Sequence, residues 1–265
     1  MAFDKNEVEA GLAGTRFAGC VTHLPSVSST NTLALEAGQA GARSGVWVAD
    51  EQTAGRGRGG HSWHSAAGDG LYVSVLVVPA LPLAMALWIS LATGLAAKQA
   101  IGEVAGLNAD IRWPNDLLAN GKKCGGILVE TAIAAAPAPG TEAALRYAVI
   151  GIGINLNHAS FPPEIAEVGT SLRLETGHAV RREPMLIALL RAFEAELNLL
   201  QKNGKQLLER FTTASSWVEG KRVRVEEGGG YAGVTAGLDA RGFLQVRGDD
   251  GLLHTVLSGG VREQH

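Results

Sequence analysis

Apolar and polar positions change period several times along the chain, and those changes lay out its elements. After Ser28–Thr30 the run NTLALEAGQAG spaces its apolar residues as a capped amphipathic helix ending near the glycines. VWVADEQ (46–52) reads as a strand that runs into the glycine-rich TAGRGRGGHSW. From Gly70 to Ala97 no charged residue occurs, a length that could cross a bilayer on count alone. Pro79 and Pro82 divide it, because proline lacks an N–H and clashes with a preceding turn. The two pieces read as a buried β-branched strand, LYVSVLVV, and a buried helix, LAMALWISLATGLAAKQAIGEVAG. A hairpin is predicted next: IRWPNDLLA, an Asn120-Gly121 turn, then KKCGGILVETAIA. The Ala/Pro-rich residues 134–144 lack periodicity and read as an exposed loop. RYAVIGIGINLN (146–157) is a strand, and PMLIALLRAFEAELNLL and KQLLERFTTASSWV are helices. From Gly220 short alternating runs broken by glycine and aspartate turns predict a small antiparallel barrel of about five strands. The expected organisation is α/β (α+β): a domain over residues 1–219 with a mixed sheet and flanking helices, and a β module over 220–265.

Composition narrows the function classes. Of 265 residues, 46% are hydrophobic and 18% charged, as in a folded chain. The net charge of -3 offers no broad basic field for DNA or an anionic membrane, so any anion site must be built from a few local Arg and Lys residues. Cys20 and Cys124 show no metal spacing and read as free thiols. MAFDKNEVEAGL is charged where a signal peptide needs an apolar run, so a cytoplasmic location is expected.

Three constellations carry candidate chemistry. In Gly55-Arg56-Gly57-Arg58-Gly59-Gly60 the glycines let backbone N–H groups converge on anionic oxygens, and two arginines add fork-shaped donors. No Gly-Lys-Ser/Thr follows, so this is not a Walker loop; a flexible loop of solvated arginines fits the segment equally well. Arg112-Trp113-Pro114-Asn115-Asp116 precedes Lys122-Lys123-Cys124-Gly125-Gly126. Strand alternation puts Lys123 and Cys124 on opposite faces, and Gly125 and Gly126 leave backbone open to a ligand; an ordinary hairpin with exposed lysines is the alternative. Ser29-Thr30-Asn31 sits at a helix start, where capping alone would explain Ser29 or Thr30. Asn155, in the apolar GIGIN strand, needs a buried partner from the fold or a ligand.

Together STN (29–31), EQTAGRGR (51–58), RWPND (112–116), KKCGGILVE (122–130) and GIGINLN (151–157) resemble the biotin–protein ligases in order and approximate spacing, over nearly the whole chain. The resemblance implies an adenylating catalytic domain followed by an SH3-like C-terminal module. It implies that biotin is activated by ATP to biotinyl-AMP and passed to a lysine on the biotin carboxyl-carrier domain of a carboxylase. Ser29, Thr30, Asn31, Gln52 and Gly126 would hold biotin, with Gly55, Arg56, Gly57 and Arg58 closing over it. Lys123 would contact the biotin carboxylate and the α-phosphate, and Trp63, Asn115 and Asn155 would contribute to the nucleotide side.

Such chemistry brings two anions together, so Arg56, Arg58, Lys123 and a Mg²⁺ carried mainly by ATP phosphates are expected to offset their repulsion. Asp116 is the candidate acceptor for the incoming lysine's proton, with turn capping as its alternative role. The chain departs from the family in having Gly60-His61 where relatives carry another arginine, which makes that charge pH-dependent, and in having Arg112 where a lysine is common. A lipoate–protein ligase and a non-catalytic biotin sensor are the competing readings. Only 28 residues precede STN, too few for a helix-turn-helix, so direct DNA binding is not expected, and a monomer or weak homodimer is.

Overall fold

The uncharged stretch from Gly70 to Ala97 forms the centre of the molecule. In the computed structural model, which describes residues 3–134, 142–257 and 260–264, all eight residues of strand Gly70–Val77 are buried. Beyond the two prolines the chain makes helix Ala86–Ala105. That helix has the length and hydropathy of a membrane span, yet 67% of its apolar window is buried inside the protein. Of the predicted loop over 134–144, residues 135–141 lie outside those described.

In chain order the elements of the first unit are α1 (Lys5–Gly11), β1 (Val21–Leu24), α2 (Thr30–Gln39), β2 (Gly45–Ala49), β3 (Gly70–Val77), α3 (Ala86–Ala105), β4 (Asp110–Arg112), β5 (Asp116–Ala119), β6 (Lys122–Ile133), β7 (Leu145–Asn155), α4 (Pro163–Ala166), α5 (Leu172–Thr176), α6 (Arg182–Lys202) and α7 (Gly204–Ala214). The seven strands form one mixed sheet, β1-β2-β3-β7-β6-β5-β4, in which β1 and β2 are parallel and every other neighbouring pair antiparallel. Ile150, Ile152 and Ile154 on β7, with Val73 and Val75 on β3, join the main core together with α3 and α6. The opposite face is covered by α2 only in part: Ala34, Leu76, Tyr147 and Val149 make a second, smaller cluster. Beyond Val149 that face carries mainly polar residues and glycines, with Leu128 opposite Gly151.

Sequence and structure differ at IRWPNDLLA. The predicted single strand is two, β4 and β5, paired with each other at Arg112↔Asp116. Pro114, joined to Trp113 by a cis peptide bond, sits in the turn between them, where a residue with no N–H removes nothing from the ladder. α1 and β1 fall in segments the hydrophobic pattern left unassigned.

The expected β module is a five-stranded antiparallel sheet made of β8 (Glu219–Val225), β9 (Tyr231–Leu238), β10 (Leu244–Gly248), β11 (Leu253–Val256) and β12 (Val261–Glu263), in the order β11-β10-β9-β8-β12. Two indoles fasten it to the first unit. Trp88 Nε1 donates to Arg241 O at 2.6 Å and Trp113 Nε1 to Gly242 O at 3.0 Å. Trp113 is 2% exposed, so its loss leaves the Gly242 carbonyl short of a buried partner. Trp113→Phe is therefore expected to lower stability by ~1–3 kcal/mol, read as a reduced midpoint in thermal or urea unfolding; an unchanged midpoint would show that the two units do not depend on this bond.

Candidate active site

Three glycines strip the side chains from one face of the β6–β7 pair. Gly126 lies opposite Gly153, and Gly151 opposite Leu128. A Cβ on Gly151 would stand 2.2 Å from Asn31 Oδ1, and one on Gly153 would stand 2.3 Å from Trp63 Nε1. A Cβ on Gly126 would meet Trp63 Cζ3 at 3.1 Å and Lys123 Cε at 3.3 Å. The GIGIN and GG motifs are thus a floor on which Asn31 and the Trp63 indole lie flat. Gly125 plays a different part from its neighbour: it faces the core, where a Cβ would meet Leu117 Cδ1 at 2.8 Å. The floor, α2 and the glycine loop line one cleft, with Ser29, Thr30, Asn31 and Gln52 toward one end and Arg58, Asn115 and Lys123 toward the other.

One end of the cleft is neutral. Gln52 Oε1 accepts from both the backbone N–H (2.9 Å) and the hydroxyl (3.1 Å) of Thr30, while Gln52 Nε2 donates to Ser65 Oγ. Ser74 Oγ donates to Asn31 Oδ1 at 2.5 Å and lies 2.7 Å from Thr30 Oγ1. Two hydroxyl protons serve three oxygen–oxygen contacts here, so the network has acceptor capacity to spare for a ligand N–H. Ser29 is 2% exposed and occupies the N-cap position of α2, but its side chain makes no capping bond. Its hydroxyl lines the cleft instead.

The other end is cationic. Alternation along β6 from Gly126 would turn Lys123 away from the cleft, since three residues separate them. The β5–β6 register slips between Leu117↔Gly125 and Leu118↔Lys123, leaving Cys124 as the extra residue of a bulge. That slip brings Lys123 round to the face of Gly126, and both line the cleft. Cys124 packs behind, fully buried, its thiol pushed up to about 12 by burial. Lys123 Nζ lies 2.5 Å from Asp116 Oδ1, and Arg112 Nη2 lies 2.6 Å from Asp116 Oδ2. Burial alone would raise the Asp116 pKa, but the two cations outweigh it and hold the carboxyl below the usual carboxylate range. While so paired the carboxylate is a poor proton acceptor and serves as an anchor for Lys123.

Arg58 differs from the other arginines of this region. Burial pushes its guanidinium below the ordinary arginine range, and the hydrogen bond recorded for it is to a neutral group, Asn115 Oδ1, at 2.7 Å. Among the described residues it forms no ion pair. Arg56, by contrast, is neutralised by Glu130 at 2.7 Å. Of the two loop arginines, then, Arg56 is paired with a carboxylate and Arg58 with a neutral amide. The loop itself is a small hairpin: Arg56 bridges Ser62, Gly57 N–H donates to His61 O at 2.7 Å, and Trp63 N–H to Gly55 O at 2.8 Å. Gly55 is needed there because a Cβ would stand 2.5 Å from Trp63 O. His61 is exposed and does not line the cleft.

Asn155 also stands outside the cleft lining; its buried partner comes from the fold, through a 3.0 Å bond from Nδ2 to Thr170 O. Three contributors escaped the sequence reading. Ser74 is the lone polar residue in LYVSVLVV, and Glu130 closes KKCGGILVE; each was visible as a polar residue in an apolar run. Residues 168–170 carried no such signal: Lys123 N–H donates to Val168 O at 2.8 Å and Thr170 N–H to Lys123 O at 2.9 Å, so a distant segment clamps the lysine's backbone.

Comparison with known proteins bears on this arrangement. The model of the Biotin/lipoate A/B protein ligase family matches residues 23–155, which hold the whole cleft. The chain belongs to that family. A second model, the biotin protein ligase C terminal domain, matches residues 220–261 and places the chain on the biotin side of the family. It is 32% identical over 252 residues to the bifunctional ligase/repressor BirA of Bacillus spizizenii, covering 94% of this chain and 75% of that protein. It is 34% identical over 235 residues to the biotin--[acetyl-CoA-carboxylase] ligase of Paracoccus denitrificans, covering 86% and 94%. The biotin protein ligase of Aquifex aeolicus, solved with biotin and ATP, superposes with a TM-score of 0.77 at 27% identity over 93% of this chain and all of that one.

The floor gives the family motif a direct test. Trp63 Nε1–H is buried without a partner, a cost that a ligand acceptor would return. Gly153→Ala should displace the indole, since a Cβ there would stand 2.3 Å from Trp63 Nε1. Expected are a changed Trp63 environment in near-ultraviolet circular dichroism and a ligand affinity at least about tenfold weaker, with the fold retained. Unchanged binding would remove Trp63 and its glycine from the site.

Proposed function

We propose that the protein is a biotin–protein ligase that makes biotinyl-AMP from biotin and ATP, releases pyrophosphate, and transfers the biotinyl group to a lysine of a biotin carboxyl-carrier domain. The observation that carries the reading is the division of one cleft into a neutral end with spare acceptors and a cationic end with Lys123 and a half-buried arginine, Arg58, that makes no ion pair among the described residues. Biotin's ureido ring presents two N–H donors to the neutral end, at Ser29, Thr30, Asn31 and Gln52, leaving its carboxylate directed along the Gly126–Gly153 floor toward Lys123. A lipoyl ring has no N–H to donate, so the same network would recognise it poorly.

In the first step a biotin carboxylate oxygen attacks the α-phosphorus and pyrophosphate leaves. Lys123 and Arg58 stand where negative charge gathers, and a desolvated cation stabilises it more strongly than one in water. ATP enters as its Mg²⁺ complex, the metal riding on phosphate oxygens as part of the substrate. On arrival of phosphate, Lys123 exchanges Asp116 for it, and Arg58 exchanges the Asn115 amide. Trp63, Asn115 and the clamp at 168–170 bound the nucleotide side. In the second step the neutral ε-amine of the acceptor lysine attacks the anhydride carbonyl; the amide forms, AMP leaves and the amine proton is lost. The hairpin over residues 55–63 excludes the water that would hydrolyse the anhydride meanwhile. The relatives' names support acetyl-CoA carboxylase as the source of the acceptor domain, and the free thiols of Cys20 and Cys124 fit a reducing, cytoplasmic setting.

The test is pyrophosphate exchange into ATP, with biotin or lipoate as co-substrate. Biotin should support exchange and lipoate should not. Lys123→Ala should reduce the biotin-dependent rate by ~10²–10³ while the protein stays folded. Exchange supported by lipoate, or near wild-type exchange in the variant, would refute the reading.

A further inference from the structure

Glu130 stands on the cleft face of β6, opposite Val149, and it is 23% exposed. Its two oxygens go to two different parts of the site. Oε1 accepts from Arg56 Nη2 at 2.7 Å, and Oε2 accepts from Asn31 Nδ2 at 2.9 Å. Arg56 belongs to the glycine hairpin, held in it by the bridge to Ser62. Asn31 belongs to the neutral recognition network, with its Oδ1 taking the Ser74 proton. An ionised carboxylate can only accept. Glu130 therefore requires Asn31 to turn its NH₂ toward β6 and its oxygen toward Ser74, and in the same geometry requires the hairpin to bring Arg56 down.

The geometry points to Glu130 as a positioning residue that couples closure of the glycine hairpin to the ligand-competent orientation of Asn31. The inference deepens the ligase reading and rests on it for the identity of the ligand. The two arginine tethers of the hairpin then divide the work. Arg58 is held by a neutral amide that a phosphate displaces at small cost, so it changes partner when the adenylate forms. Arg56 keeps its charged partner throughout, and the hairpin stays shut while Arg58 is between partners. A ligand that turns Asn31 away from Glu130 loosens the hairpin, and one that accepts the Asn31 orientation tightens it. Selection of the ring and retention of the adenylate are thereby one equilibrium rather than two.

Glu130→Gln keeps the shape and one possible bond to Asn31 but removes the charge that holds Arg56. Hydrogen exchange of the peptide spanning 54–63 in the ligand-free protein, followed by mass spectrometry, reads the latch without reference to catalysis. Exchange should rise about tenfold in Glu130→Gln, as expected for loss of one charged hydrogen bond, and by a similar factor in Arg56→Gln. The double variant should be no faster than either single one, since both remove the same interaction. Release of preformed biotinyl-AMP, measured by chase, should accelerate about tenfold in the same three proteins. Biotin KM should rise in both single variants, because the two contacts are coupled, and more in Glu130→Gln, which also alters the bond to Asn31. Unchanged loop exchange in Glu130→Gln, additive effects in the double variant, or a lowered unfolding midpoint with no change confined to 54–63 would overturn the inference. A wild-type protein without biotin-dependent pyrophosphate exchange would instead defeat the ligase reading, with hydrogen exchange still deciding whether the latch exists.

Discussion

An asparagine amide and an indole lie directly on the backbone of two central strands, at distances that no Cβ would allow. Gly151, Gly153 and Gly126 make this possible, and much of the site follows from it. Glycine inside a strand costs backbone entropy and packs nothing; here the loss is confined to one face, while Ile150, Ile152 and Ile154 of the same strand stay buried against the helices on the other. With the floor bare, α2 can set Asn31 over β7, the glycine hairpin can set Trp63 over β6 and β7, and a cleft remains between them. Period-two alternation delivers core and site from one strand.

The second constraint is electrostatic. A cleft that handles two anions needs positive charge, but buried cations without partners are expensive. The protein settles this unevenly. Lys123 shares Asp116 with Arg112, Arg56 is matched to Glu130, and Arg58 is left with an amide. Two cations thus share one carboxylate, a third has its own, and Arg58 makes no ion pair among the described residues. The bulge at Cys124 is what brings Lys123 to the same end, so a one-residue slip in a β-ladder decides where the charge of the site sits.

Much of this was legible from the sequence because the functional segments depart from ordinary core or surface patterns: glycines inside apolar strands, arginines between glycines, a lysine beside them. The helices and most strands followed from periodicity, and the β module from its short alternating runs. What escaped had physical reasons. IRWPNDLLA reads as one strand because its apolar ends, Ile111 and Leu117–Leu118, frame only a short polar interval in which the turn lies. The bulge at Cys124 leaves no mark on the pattern, since Lys123 and Cys124 look correctly alternated either way. Pairing between side chains far apart in sequence, such as Asn31 with Glu130 or Lys123 with residues 168–170, depends on register that no local pattern encodes. The same holds for Arg56 with Glu130 and Arg58 with Asn115, which give neighbouring arginines of one loop different partners.

The claim on which the rest depends is that the cleft recognises a neutral ring at one end and phosphate, through Arg58, at the other. Titration calorimetry of wild type and Arg58→Gln with biotin, and with a non-hydrolysable biotinyl-adenylate analogue, tests it most directly. The account predicts that biotin affinity stays within about twofold of wild type while the analogue weakens by at least about tenfold, the loss of one charged hydrogen bond to phosphate. Equal weakening of both ligands, or of neither, would contradict it.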